Sequence, residues 1–253
     1  MFFFKRKQIV LDAFTMSPAV HAYYPIEKAN KFLPEWWKNL PKSYIMKSAS
    51  GVDMDISTLK RCNGFIDCYS SGFMIPLWSD LNVKIDEDRW SYQFSFNWSE
   101  GMDSLPDKIT SHDRQQYGPI FDNHLHLKLS TPWVINETKG IKFYFGQPTW
   151  NNVDNLNRFH ILPGVVDFKY QHTSNINFIV PNKPDIFKFE AGYPIAHLIP
   201  LSEHDIVIKN HLVSKEEYNR IFLLGSSTSF SGIYKKHKSI LSKKETKCPF
   251  GFN

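Results

Sequence analysis

Short runs in which apolar and polar residues strictly alternate dominate the chain from residue 73 onward, and they constrain the fold more than any other feature. Leu81-Asn82-Val83-Lys84-Ile85 and Trp90-Ser91-Tyr92-Gln93-Phe94-Ser95-Phe96 alternate, and His124-Leu125-His126-Leu127-Lys128-Leu129 follows the same rule. A period of two is the signature of a strand with one face buried. Further strands are expected at Ile9 to Phe14, Asn175 to Val180, Ile186 to Phe189, Ile195 to Ile199 and Ile206 to Lys209, and a hairpin at Trp133 to Phe145 turning near Thr138-Lys139-Gly140. Aromatic residues make up 15% of the 253 residues, a bias that suits pleated, half-buried surfaces. Repeated short strands predict a mainly β protein, a compact jelly-roll or β-clip-like β-sandwich with a few short peripheral helices.

Helical periodicity is confined to three places. Ile26, Phe32, Leu33, Trp36, Trp37 and Leu40 give residues 25–40 an apolar face, with Pro34 suited to the first helical position. Leu59, Cys62, Phe65, Ile66 and Tyr69 recur at spacings of three and four and predict a helix over 57–69, closed by Gly72. Ser214 and Glu217 form a capping box ahead of Tyr218, Ile221, Phe222 and Leu224, with Gly225 as the stop. Residues 97–123, rich in Gly, Asp, Pro and Ser, read as one long loop.

The net charge of +5 is concentrated at the C-terminal end, where 235–247 holds six lysines and one glutamate. One β-rich domain over 1–234 and a basic tail over 235–253 are therefore expected. No aromatic residue is interleaved among the six lysines, which argues against nucleic-acid binding. No apolar run is long enough for a membrane helix, and Met1 to Lys7 lacks the order of a signal peptide. Three cysteines, Cys62, Cys68 and Cys248, do not make a disulfide framework and suit a reducing cytoplasm.

Two groups of residues carry chemical potential. His124 and His126 lie two apart on one strand, so both imidazoles share a face and could chelate a divalent metal. With Gly118 they resemble the opening of the first cupin motif, although Lys128 to Thr131 lack its glutamate. A hydrogen-bonded or solvent-facing pair is the alternative. The second group is Gly164-Val165-Val166-Asp167-Phe168-Lys169-Tyr170, followed by Gly192-Tyr193-Pro194-Ile195-Ala196-His197-Leu198. It resembles the hairpin and following strand of the trimeric dUTPase family, a β-clip fold. That resemblance implies that Asp167 stands where a carboxylate activates water, and Tyr170 where a ring lies under the deoxyribose. His197 replaces the family's glutamine, and the basic donors for a triphosphate are missing.

A wider pattern includes Pro34-Glu35-Trp36-Trp37, Pro76-Leu77-Trp78-Ser79-Asp80, Thr131-Pro132-Trp133, Leu162-Pro163-Gly164 and Lys247-Cys248-Pro249-Phe250. In that order these segments resemble an uncharacterised family of large tailed marine cyanobacterial phages, with bacterial relatives. The resemblance implies an accessory protein of the host-cell cytoplasm or the virion. Two uses are expected to compete: an enzyme or small-ligand binder with its site near Asp167, Tyr170, His197, His124 and His126, or a virion-associated or host-interaction protein whose partner is another phage or host protein.

Overall fold

The computed structural model describes residues 8–86, 89–95, 109–155 and 158–226. The N-terminal part mixes elements. Strand β1 (Ile9–Thr15) is followed by α1 (Pro18–Tyr23), whose Val20 amide donates to the Ser17 hydroxyl, and by the two-residue β2 (Glu27–Lys28). A 3-10 turn over Ala29–Phe32 precedes the single-turn α2 (Glu35–Asn39), which starts just after Pro34, as the proline position suggests. Pro34 precedes α2, and the chain on its N-terminal side is extended, as proline demands of its neighbour. A hairpin, β3 (Ser43–Lys47) and β4 (Asp53–Ser57), then appears where no strand was expected. The helix α3 (Asn63–Ser71) begins six residues later than its periodicity suggests, because β4 occupies Ser57 and a 3-10 turn holds Leu59–Arg61.

Strands follow in the places the alternation marks. These are β5 (Phe73–Pro76), β6 (Leu81–Asp86) and β7 (Arg89–Phe94), then β8 (Ile109–Ser111) and the short α4 (Arg114–Tyr117). Thus the segment read as one loop over 97–123 contains a strand, a helical turn and a 3-10 turn at Gly118–Phe121. Next come β9 (His124–Leu129), β10 (Val134–Glu137), β11 (Lys142–Gly146), β12 (His160–Ile161), β13 (Gly164–Asp167) and β14 (Ile176–Pro181). The described chain closes with β15 (Asp185–Phe189), β16 (Pro194–Pro200), β17 (Ile206–Leu212) and α5 (Lys215–Ser226). The Glu217 amide donates to the Ser214 hydroxyl as the capping box requires, and α5 runs one residue past Gly225. The basic tail at 235–253 and Cys248 lie outside the described residues.

The architecture is mainly β and of the sandwich type. Among the described residues five sheets form, ordered β10-β1-β17, β13-β11-β16-β5-β2, β12-β14-β9-β8, β15-β6-β7 and β3-β4. All pairings are antiparallel except β1 with β17, which run parallel and join the two ends of the described chain. Four of the sheets turn their apolar faces into one core, with Phe73, Phe143, Val83, Phe187, Leu127 and Phe178 among its members. The burial of β6 alternates in step with Leu-Asn-Val-Lys-Ile-Asp. β5 is buried at all four positions. It lies inside its sheet, with the core on one side and Met74 under the aromatic cluster of Phe65 and Tyr69 from α3 on the other.

Two expected hairpins are not hairpins. β10 pairs with β1, whereas β11 pairs with β13 and β16. The buried Glu137 carboxylate accepts the Lys139 amide and, at 2.8 Å, the Ile141 amide, so the turn is satisfied by a side chain and the strands diverge. Likewise β13 pairs with β11 but β14 pairs with β9 and β12. Between them the chain folds back on the Asp167 carbonyl, which accepts from the Tyr170 and Gln171 amides, and then crosses over. Among the described residues no helix is long and apolar enough to cross a membrane.

Candidate functional site

The polar side chains converge most clearly beside β9, in a cavity of about 240 Å³. Its polar wall comes from the stretch after β8, from α4, β9 and β14, and from the crossing at 171–175; its apolar wall is Phe145, Leu162, Pro163 and Val166. None of its lining residues among those described is Asp, Glu, Lys or Arg. Alternation on β13 explains one wall, since Gly164 and Val166 line the cavity and Asp167 does not.

His112 is the best-fixed group there. Its amide donates to the His126 carbonyl at 2.9 Å, which carries the β8–β9 ladder one residue further. Its Nδ1 lies 2.9 Å from Gln116 Oε1, four residues on, and its Nε2 lies 3.2 Å from Asn177 Oδ1. Gln116 Oε1 also accepts the Asp113 amide at 3.1 Å, so this oxygen acts as an acceptor and the proton sits on His112 Nδ1. Nε2 then accepts from the Asn177 amide group when the ring is neutral, and donates to its oxygen when the ring is charged.

His126 stacks on His112, with ring centroids 4.3 Å apart, and Tyr117 covers it at 5.5 Å. Both its ring nitrogens are buried and have no hydrogen-bond partner among the described residues. Burial, and next the adjacent His112, push its pKa down to about 4. The neighbouring Asn177 side chain offsets only part of this. His126 is therefore neutral at physiological pH, and its lone pair is held unused beside a cavity. Such an imidazole can accept a hydrogen bond or ligate a metal once a ligand displaces the stacked ring.

The other residues singled out in the sequence are dispersed. His124 stands at the start of β9 against Phe121, at 6.2 Å, outside the cavity lining. Among the described residues, no group of three or more His, Cys, Asp or Glu side chains converges to hold a metal ion. Asp167 and Tyr170 are buried in the turn after β13, where the Lys169 amide donates to the Asp167 carboxylate at 3.3 Å and the Lys169 ammonium lies 5.7 Å from the Tyr170 ring. His197 on β16 sits between Gly146 and Met74 in the register and faces α3. Its Nδ1 is 3.9 Å from Cys68 Sγ, and its Nε2 is buried over Gly72, where even a methyl group would come within 2.3 Å. Burial pushes the His197 pKa down to about 4 and the Cys68 thiol up, so this pair is neutral and packed. His112, Gln116, Tyr117 and Asn177 were not singled out in the sequence. The His-x-x-x-Gln spacing at 112–116 was the one available signal, inside a segment read as loop.

No protein-family model matches the chain, and no curated protein matches it.

Proposed function

We propose that this protein binds a compact, uncharged, polar ring compound in the His112–His126 cavity, as a small-ligand protein built on a jelly-roll or β-clip-like scaffold. The reading rests on one observation: two histidines, Asn177, Gln116 and Gln171 meet at a cavity whose described lining holds no Asp, Glu, Lys or Arg. Hydrogen-bonding amides and imidazoles opposite an apolar wall suit a neutral ring with several donors and acceptors. The volume corresponds to about eight waters at ~30 Å³ each, room for a single sugar or a base. Phosphate groups would lack charge compensation there, so the nucleotide hydrolysis suggested by Asp167 and Tyr170 is not part of the proposal. The resemblance to the phage family supports a role as an accessory protein in the infected cell. A second reading, a virion-associated or host-interaction protein, draws support from the exposed hairpin β3–β4.

Thermal shift with neutral monosaccharides and nucleosides, their phosphorylated forms, and Fe, Mn, Zn or Ni salts tests this. Binding at one hundred times Kd stabilises the native state by about 2.7 kcal/mol. The expected result is a rise with a neutral compound, abolished in His126→Ala and Asn177→Ala and absent with its phosphate ester. A rise with metal alone that needs both His124 and His126 would replace the proposal with a metal site. No rise with any compound would shift the weight to the interaction reading.

A further inference from the structure

A second cavity, of about 540 Å³, shares no lining residue with the His112–His126 cavity and falls in the size range of small-molecule sites. It opens where two sheets part. The chain crosses between these sheets twice here: residues 138–141 lead from β10 to β11, and residues 201–205 lead from β16 to β17. Both crossings line the cavity, together with Gln8 and Ile9 at the start of β1. Both are held by hydrogen bonds. The Glu137 carboxylate accepts the Lys139 and Ile141 amides. The Leu201 amide donates to the Lys142 carbonyl at 2.9 Å, the Ile9 amide to the Asp205 carbonyl at 3.0 Å and the His204 amide to the Ser202 hydroxyl at 3.1 Å. The walls are thus set before a ligand arrives.

The lining carries Lys139 and Lys142, and among the described residues no Asp or Glu. Neither lysine makes an ion pair among the described residues. The nearby carboxylates are engaged elsewhere: Glu137 is buried on the turn's amides, and Asp205 accepts the Gln8 side-chain amide at 3.0 Å. His204 lines the same cavity with its Nδ1 2.9 Å from the Ser202 hydroxyl, which leaves its Nε2 for a ligand. Ile9, Ile141 and Leu201 supply apolar surface.

We propose that this cleft binds a small organic dicarboxylate, with its apolar body on Ile9, Ile141 and Leu201 and one carboxylate at each lysine. Two ammonium groups in a lining without acids call for two negative charges. Their mutual repulsion keeps them apart, which suits two separate carboxylates better than one compact anion. A phosphate group needs several convergent donors, and the backbone amides at 139 and 141 that would cradle it are already spent on Glu137. The apolar surface gives the carbon body between the carboxylates a seat out of water.

Isothermal titration of the full chain with suberate and isophthalate, beside octanoate and inorganic phosphate, tests this. The expected result is one dicarboxylate bound per chain, octanoate weaker than suberate by roughly tenfold for the loss of one charge-assisted contact, and no binding of phosphate. Lys139→Ala and Lys142→Ala change exposed side chains, and each weakens suberate roughly tenfold. Lys188→Ala, which removes an exposed lysine of β15 outside the lining, leaves suberate binding unchanged. Octanoate as tight as suberate, suberate binding untouched when Lys139→Ala and Lys142→Ala are combined, or no binding of either dicarboxylate overturns the proposal. Phosphate that competes with suberate overturns it too, because a compact anion would then fill the site.

Discussion

At the residue scale, buried histidines set how this protein responds to acid. His197 and His126 both have pKa values pushed down to about 4, against 6.5 in an unfolded chain. Between those values the unfolded state binds protons that the folded state excludes, so stability is full above pH 6.5 and falls as pH drops toward 4. For His197, which is 3% exposed, the shift amounts to about 3 kcal/mol by pH 4 at ~1.4 kcal/mol per pKa unit. Urea unfolding at pH 7 and pH 4.5 should therefore show a large loss in the wild type and a smaller one in His197→Met. Equal losses would mean that His197 is protonated in place. Gly72 explains why the ring fits at all: its missing side chain leaves the space that the imidazole occupies, and its backbone φ of −83° is open to any residue.

At the element scale, the turns decide which strands pair. Glu137 is fully buried, and its carboxylate takes the two amides of the 139–141 turn. Glu137→Gln puts an amide donor against amide donors at one of the two oxygens, a loss of about 1–3 kcal/mol. Thermal unfolding of that variant checks it; a change within ~0.5 kcal/mol would show that the turn holds without the carboxylate. Alternation located β6, β9, β14 and β16 within a residue or two, and the start of β17, since a buried face writes itself directly into the sequence. It could not show that the 133–145 and 164–178 segments split between sheets. Adjacent strands joined by a short turn look the same in sequence whether they pair or part. The β3–β4 hairpin escaped notice because Tyr44, Ile45 and Met46 run together and both faces are exposed in the chain described here, so no alternation marks it.

At the scale of the whole molecule, the two ends of the described chain meet. β1 and β17 pair in parallel over 9–15 and 206–212, so the sheet β10-β1-β17 is completed only after nearly all the intervening chain has been placed. Closing so long a loop before its contacts form slows folding, and refolding followed by tryptophan fluorescence should take seconds or longer. Completion within a millisecond would mean that the closure is not rate-limiting. The cavity depends on the same long-range assembly. His112, His126, Gly164, Gln171 and Asn177 come from segments up to 65 residues apart, as in the His112–Asn177 bond. The sequence alone determined the mainly β class, most strand positions, the capped α5 and the presence of His126 on a strand, because each is written in neighbouring residues. Tertiary structure alone decided that His126 stacks on His112, that Asp167 and Tyr170 lie outside the cavity lining, and that His197 packs on Cys68. Those pairings follow from the order of strands in the sheets, which is set by competition among distant surfaces and by turns that side chains complete.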